Sequence, residues 1–111
     1  MPYTGTPWVQ QGTLLAQPDQ RIVVDSPEWF AWLQTATRFC YSPDHTSYRF
    51  TARKEKRRHG YYWYGYLRND RKLHNAYLGK SERLTAAFLD QACDRLVQKS
   101  RQERKRRAEN Y

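Results

Sequence analysis

Three short runs carry side chains able to grip an anion. Arg49, Thr51 and Arg53 recur at every second position, Tyr64, Tyr66 and Arg68 repeat that spacing, and Asn75 and Tyr77 repeat it again. Arginine and asparagine can form paired hydrogen bonds to guanine and adenine edges, while threonine and tyrosine hydroxyls bond phosphate oxygens. Lys54, Lys56, Arg57, Arg58, Arg71 and Lys72 surround these runs and suit a phosphate backbone, and Arg104, Lys105, Arg106 and Arg107 form a further basic cluster. Residues 1–48 hold two basic and four acidic residues, whereas residues 49–111 hold eighteen and seven, so the net charge of +9 arises entirely in the second part. Each phosphate neutralised by lysine or arginine releases counterions, which makes a polyanion the expected partner.

Other chemistries find less support. The motif GKS at 79–81 resembles the end of a phosphate-binding loop, but His74 stands where the earlier glycine is required. No histidine and carboxylate share a spacing that would make an acid and base pair, so no catalytic residue and no enzyme activity is expected. Cys40 and Cys93, with three scattered histidines, lack the spacing of a metal cage, and no cofactor or metal is expected. No apolar stretch of membrane-spanning length and no secretory signal occurs. The expectation is therefore a cytoplasmic protein without a membrane partner, nucleoid-associated if it binds DNA.

The positioning elements follow from local patterns. Residues 1–24 mix Pro, Gly, Thr and Gln and read as an irregular arm ending in an extended segment at residues 21–24. Ser26 as cap, Pro27 and Glu28 predict a short helix carrying Trp29, Trp32, Leu33 and Ala36 on one face. The cluster YSPDHTS at 41–47 signals a turn. Period-two alternation then predicts a strand from residue 47, and YYWYGYLR and KLHNAYLG flank NDR as a hairpin. A two-residue turn at Asp70 and Arg71, or a four-residue loop from Asn69 to Lys72, puts Trp63, Gly65, Leu67, His74, Ala76 and Leu78 on one face. Tyr62, Tyr64, Tyr66, Arg68, Leu73, Asn75 and Tyr77 then take the other; His74 inside and Leu73 outside sit awkwardly in this register. Thr85 caps a second helix whose stripe of Leu84, Phe88, Leu89, Ala92, Leu96 and Val97 covers the apolar face.

The expected architecture is α+β: a three-stranded antiparallel sheet packed on a C-terminal helix, with a short N-terminal helix. It divides into an arm at 1–24, one nucleic-acid-binding domain at 25–98 and a basic tail at 99–111.

Residues 50–85, FTARKEKRRHGYYWYGYLRNDRKLHNAYLGKSERLT, together with SPEWFAWL at 26–33, resemble a segment near the start of large LuxR or MalT-type bacterial transcriptional regulators. There the segment precedes an ATPase-like region and a helix-turn-helix reader, neither of which is present, so the resemblance implies a regulatory setting and no ATPase activity. The expected three strands and helix are also similar, more loosely, to the arm-type DNA-binding domains of tyrosine integrases and to the plant ethylene-response domain, which insert a sheet face into the major groove. Three functions are open: duplex DNA binding by a regulator or mobile-element accessory protein, RNA or single-strand binding through stacked tyrosines, and protein docking through Trp29 and Trp32. The bland alternative is that the tyrosines stabilise a small sheet and the cations keep its edges soluble.

Overall fold

A computed structural model describes residues 6–17, 19–69 and 71–109, with side chains as far as residue 102. Seven strands form one sheet: β1 (Trp8–Gln10), β2 (Thr13–Gln17), β3 (Gln20–Val23), β4 (Arg38–Ser42), β5 (Phe50–Arg57), β6 (Gly60–Asn69) and β7 (Lys72–Gly79). Helix α1 (Pro27–Thr35) joins β3 to β4, and α2 (Ala86–Glu109) follows a short 3-10 turn. The spatial order is β3-β2-β1-β4-β5-β6-β7, antiparallel throughout except where β1 runs parallel to β4.

The three-stranded sheet is thus corrected to a mixed sheet of seven strands. Strands β1 to β3 occupy the expected irregular arm, and β4 occupies residues assigned to a helix end and turn. The extended segment expected at residues 21–24 forms most of β3; the missed strands β1, β2 and β4 are three to five residues long, too short to establish a period of two by themselves. Their pairing supplies what local pattern lacks, because Val9 lies opposite both Leu14 and Tyr41 and all three are buried.

Alternation builds the core. Ile22, Leu14, Val9, Tyr41 and Phe50 form one inward row across five strands, and Phe39, Ala52, Gly65 and Ala76 form another. The hairpin register is the expected one, with Asn69 paired to Lys72 and Leu67 to His74. His74 is buried and Leu73 is 53% exposed. A side chain at Gly65 would place its Cβ 3.1 Å from the Phe50 ring, so any larger residue there would have to push Phe50 aside.

Both helices cover this inner face. Ser26 Oγ accepts from the Trp29 amide, and Thr85 Oγ1 accepts from the Phe88 amide, so both expected caps form. Asp25 Oδ1 also accepts from the Ala86 amide, tying the start of α1 to the start of α2. Phe39 joins Trp29 and Trp63 into a central aromatic group, meeting Trp29 edge-on at 5.3 Å and Trp63 at a tilt at 5.2 Å between centroids. Trp29 Nε1 donates to the Leu84 carbonyl and Trp63 Nε1 to Ser81 Oγ, which satisfies both indoles inside an apolar core. Ser81 of the GKS motif is thereby spoken for as a structural acceptor. Trp29 is fully buried and stacks on half-buried Trp32; as a core residue it offers no surface to a docking protein.

No helix among the described residues is long and apolar enough to cross a membrane.

Candidate nucleic-acid interface

The outer face takes the other half of the alternation. Leu15, Trp8, Cys40, Thr51, Tyr66 and Asn75 form a row across β2 to β7, and Arg38, Arg53, Tyr64 and Tyr77 form a neighbouring row across β4 to β7. Arg49, Thr51, Arg53, Tyr64, Tyr66, Arg68, Asn75 and Tyr77 are accordingly brought to one surface. Tyr77 packs against Tyr62 and Tyr64 at centroid distances of 6.0 and 5.4 Å. The arginines lie over rings: Arg49 on Trp8 at 5.0 Å, Arg53 on Tyr66 at 5.8 Å and Arg57 on Tyr64 at 4.6 Å, contacts that hold a planar cation upright without neutralising it.

Four arginines line a cleft of about 670 Å³ that opens on this face. They are Arg38, Arg49, Arg53 and Arg68, and Cys40, Thr51, Tyr48 and Leu73 are among the other lining residues. Arg38 lies directly opposite Arg53 in the β4–β5 ladder, an arrangement that destabilises a sheet unless a counter-charge is supplied. Among the described residues no carboxylate lies within ion-pairing distance of any of the four; the ion pairs found are His45 with Asp94 and Arg57 with Glu55. Burial raises the Cys40 thiol above its usual value, Arg49 opposing the shift, so Cys40 is a neutral part of the lining at neutral pH.

Past the Arg53–Tyr64 pair, the Lys54 amide still bonds the Thr37 carbonyl and Trp63 still pairs with Gly79 of β7; beyond this Lys54–Trp63 pair, β5 and β6 pair only with each other. Glu55 pairs with Tyr62, Lys56 with Tyr61 and Arg57 with Gly60, while β4 reaches no further than Arg53. The result is a two-stranded ribbon of three pairs extending about 10 Å past the sheet at the usual rise per residue. Gly60, at φ 138°, closes its turn, a conformation that a residue with a Cβ resists. Glu55 accepts from the Tyr66 hydroxyl and from Arg57, and the Tyr66 bond is the main reason its carboxyl is held below the usual range. Lys56, Arg58 and Tyr61 stand exposed on the ribbon.

Not every residue chosen from the sequence belongs to this surface. Lys54 turns to the inner side, where Nζ donates to the Leu33 and Gln34 carbonyls at 2.7 and 3.1 Å and sits over Trp63. It caps the carbonyl end of α1 instead of clamping phosphate. Arg71 and Lys72 lie at the β6–β7 turn, about 30 Å along β6 from the ribbon tip at the usual rise per residue. The side chains of Arg104, Lys105, Arg106 and Arg107 lie outside the described residues. Conversely, Arg38, Trp8 and Tyr48 were missed. Their signal was faint but present: Arg38 and Cys40 alternate with Phe39 and Tyr41.

One pairing was invisible at sequence level. His45 Nε2 and Asp94 Oδ1 are 2.7 Å apart although 49 residues separate them, and this bond, the principal cause, raises the His45 pKa. It fastens the β4–β5 loop to α2. One turn earlier on the helix, the Tyr41 hydroxyl donates to Asp90.

No family model, curated protein or solved structure matches the chain.

Proposed function

We propose that the protein is a non-enzymatic module that binds duplex DNA, with the β5–β6 ribbon in the major groove and the arginine-bearing outer face against the adjoining backbone. The observation that carries this reading is the juxtaposition of a projecting, cation-tipped ribbon with an open face on which Arg38, Arg49, Arg53 and Arg68 have no carboxylate partner among the described residues. A major groove roughly 12 Å wide admits a two-stranded ribbon, whereas the seven-stranded sheet is too broad to enter. The insertion is therefore by the ribbon, with Arg57, Arg58, Lys56 and Tyr61 nearest the bases, and Arg53, Arg68, Tyr64 and Asn75 outside the groove. The resemblance read from residues 50–85, which contain the ribbon, would give this reading a regulatory setting.

The test is fluorescence anisotropy with labelled duplex DNA, single-stranded DNA and RNA over a salt series. Duplex preference with a steep salt slope is expected. Arg58→Ala should cost roughly 1–3 kcal/mol in a sequence-dependent way if it reads a base, whereas Lys56→Ala should lower the salt slope by about one. Unchanged duplex affinity in both variants would sink the ribbon reading. Single-strand binding has one observation in its favour, the 53% and 60% exposure of Tyr77 and Tyr61, since an exposed ring can stack on an unpaired base. Stronger competition by single-stranded RNA than by duplex would put that reading first.

A further inference from the structure

The arginine cleft differs from the ribbon in shape as well as in place. The ribbon is convex and reaches outward; the cleft is concave, about 670 Å³ in volume, within the range of small-ligand sites. Its cations come from three adjacent strands and the entry to one of them: Arg38 from β4, Arg49 just before β5, Arg53 from β5 and Arg68 from β6. Arg38 and Arg53 are cross-strand neighbours, so their guanidinium groups can approach one anion from adjacent positions. Arg38 and Arg68 have no hydrogen-bond, ionic or ring partner among the described residues, while Arg49 and Arg53 are steadied by Trp8 and Tyr66.

A phosphodiester is poorly matched to such a cluster. It carries one negative charge and offers two unesterified oxygens, and a strand backbone passes its phosphates along a line. A phosphate monoester carries a charge of about −1.5 to −2 at neutral pH and three free oxygens, enough to accept paired bonds from several guanidinium forks at once. The concavity also suits a group that ends there.

We propose that the cleft bounded by Arg38, Arg49, Arg53 and Arg68 is a site for a phosphate monoester, carried by a 5′-phosphorylated nucleic-acid end or by a free nucleotide. The inference rests on the duplex-binding reading only in that Arg53 and Arg68 serve both; the recognition of a terminal phosphate is separate from groove insertion.

The experiment measures the affinity of the full chain for one short duplex prepared with 5′-phosphate or with 5′-hydroxyl ends, with adenosine monophosphate as competitor. The phosphorylated form is expected to bind about tenfold tighter, the equivalent of one good charge-assisted contact. That ratio should fall to about one in Arg38→Gln and in Arg68→Gln, two variants on opposite sides of the cleft whose folding is checked by circular dichroism. Removal of the preference by adenosine monophosphate assigns the site to a free nucleotide; persistence of the preference assigns it to the strand end. Equal affinity for the two duplexes, or a preference that survives both folded variants, overturns the proposal. A closed circular duplex, which has no ends, separates the two readings: failure to bind it rejects groove insertion and leaves the terminal-phosphate preference intact.

Discussion

Two rows of residues one position apart on the same four strands face opposite worlds. Phe39, Ala52, Gly65 and Ala76 lie under the helices, and their immediate neighbours Arg38, Arg53, Tyr64 and Tyr77 lie on the open side. The inner row is what burial demands: small residues where strand and helix approach, and an aromatic ring where space remains. The outer row sets two arginines opposite each other, which stability alone disfavours. The difference teaches where to look for function, because a charge pattern that costs folding energy needs a reason outside the fold.

Substitutions can break this contrast. The largest effect belongs to the inner side: Trp63→Ala should destabilise by about 3–5 kcal/mol, because it removes a fully buried ring packed on Phe39 and leaves Ser81 without its donor. Urea denaturation checks this, and a loss below that range would mean that the core collapses to fill the space. Lys54 tests which side a cation serves. Lys54→Met should lower stability by about 1 kcal/mol through lost bonds to the α1 carbonyls. Lys56→Met, two positions along the same strand and exposed, should leave the unfolding midpoint unmoved and weaken DNA binding.

Arg38→Thr should run the other way. Relief of the opposed arginine pair is expected to raise stability by a few tenths of a kcal/mol, about the lower end of cross-strand pair energies, while phosphate affinity falls. A variant both less stable and unaltered in binding would show that Arg38 serves the sheet itself. The smallest effect concerns His45. Its folded pKa is raised by Asp94, so its contribution is complete below the unfolded value near 6.5 and is lost as pH rises through the folded value. Urea midpoints should decline slightly across that window, and His45→Gln should remove the decline.

How much of this was legible depended on the range over which each signal acts. The β6–β7 register, both helix caps and the inner stripe of α2 are set by residues close in sequence, and they were read correctly. The arm was misread because Trp8–Gln10 and Thr13–Gln17 are too short to announce their hairpin pairing, and β1 finds its second partner far along the chain; Trp8 lies beside Cys40, a contact no local pattern announces. The turn between those strands uses Gln11 and Gly12, both at positive φ, and a glycine there was a hint without the usual asparagine or aspartate before it. The outer face was half visible for the same reason: β5 to β7 displayed their alternation, while Arg38 became part of the site only when β4 joined the sheet. Lys54 looked like its neighbours in sequence, and only the position of α1 distinguishes it.

The parallel junction of β1 with β4 has a kinetic consequence. Strands β5, β6 and β7 are joined by tight turns and close small loops, whereas β1 must wait for the chain through α1 to be laid down before it finds β4, and long loops delay folding. Pulse-labelled hydrogen exchange should therefore protect the amides of Ala52 and Gly65 before those of Val9 and Tyr41; the reverse order would show that the N-terminal strands nucleate the sheet. Since Arg38 arrives with β4 and Trp8, which steadies Arg49, arrives with β1, the anion cleft would be the last part of the molecule to be completed, and a newly made chain would meet phosphate only after the rest of its sheet had closed.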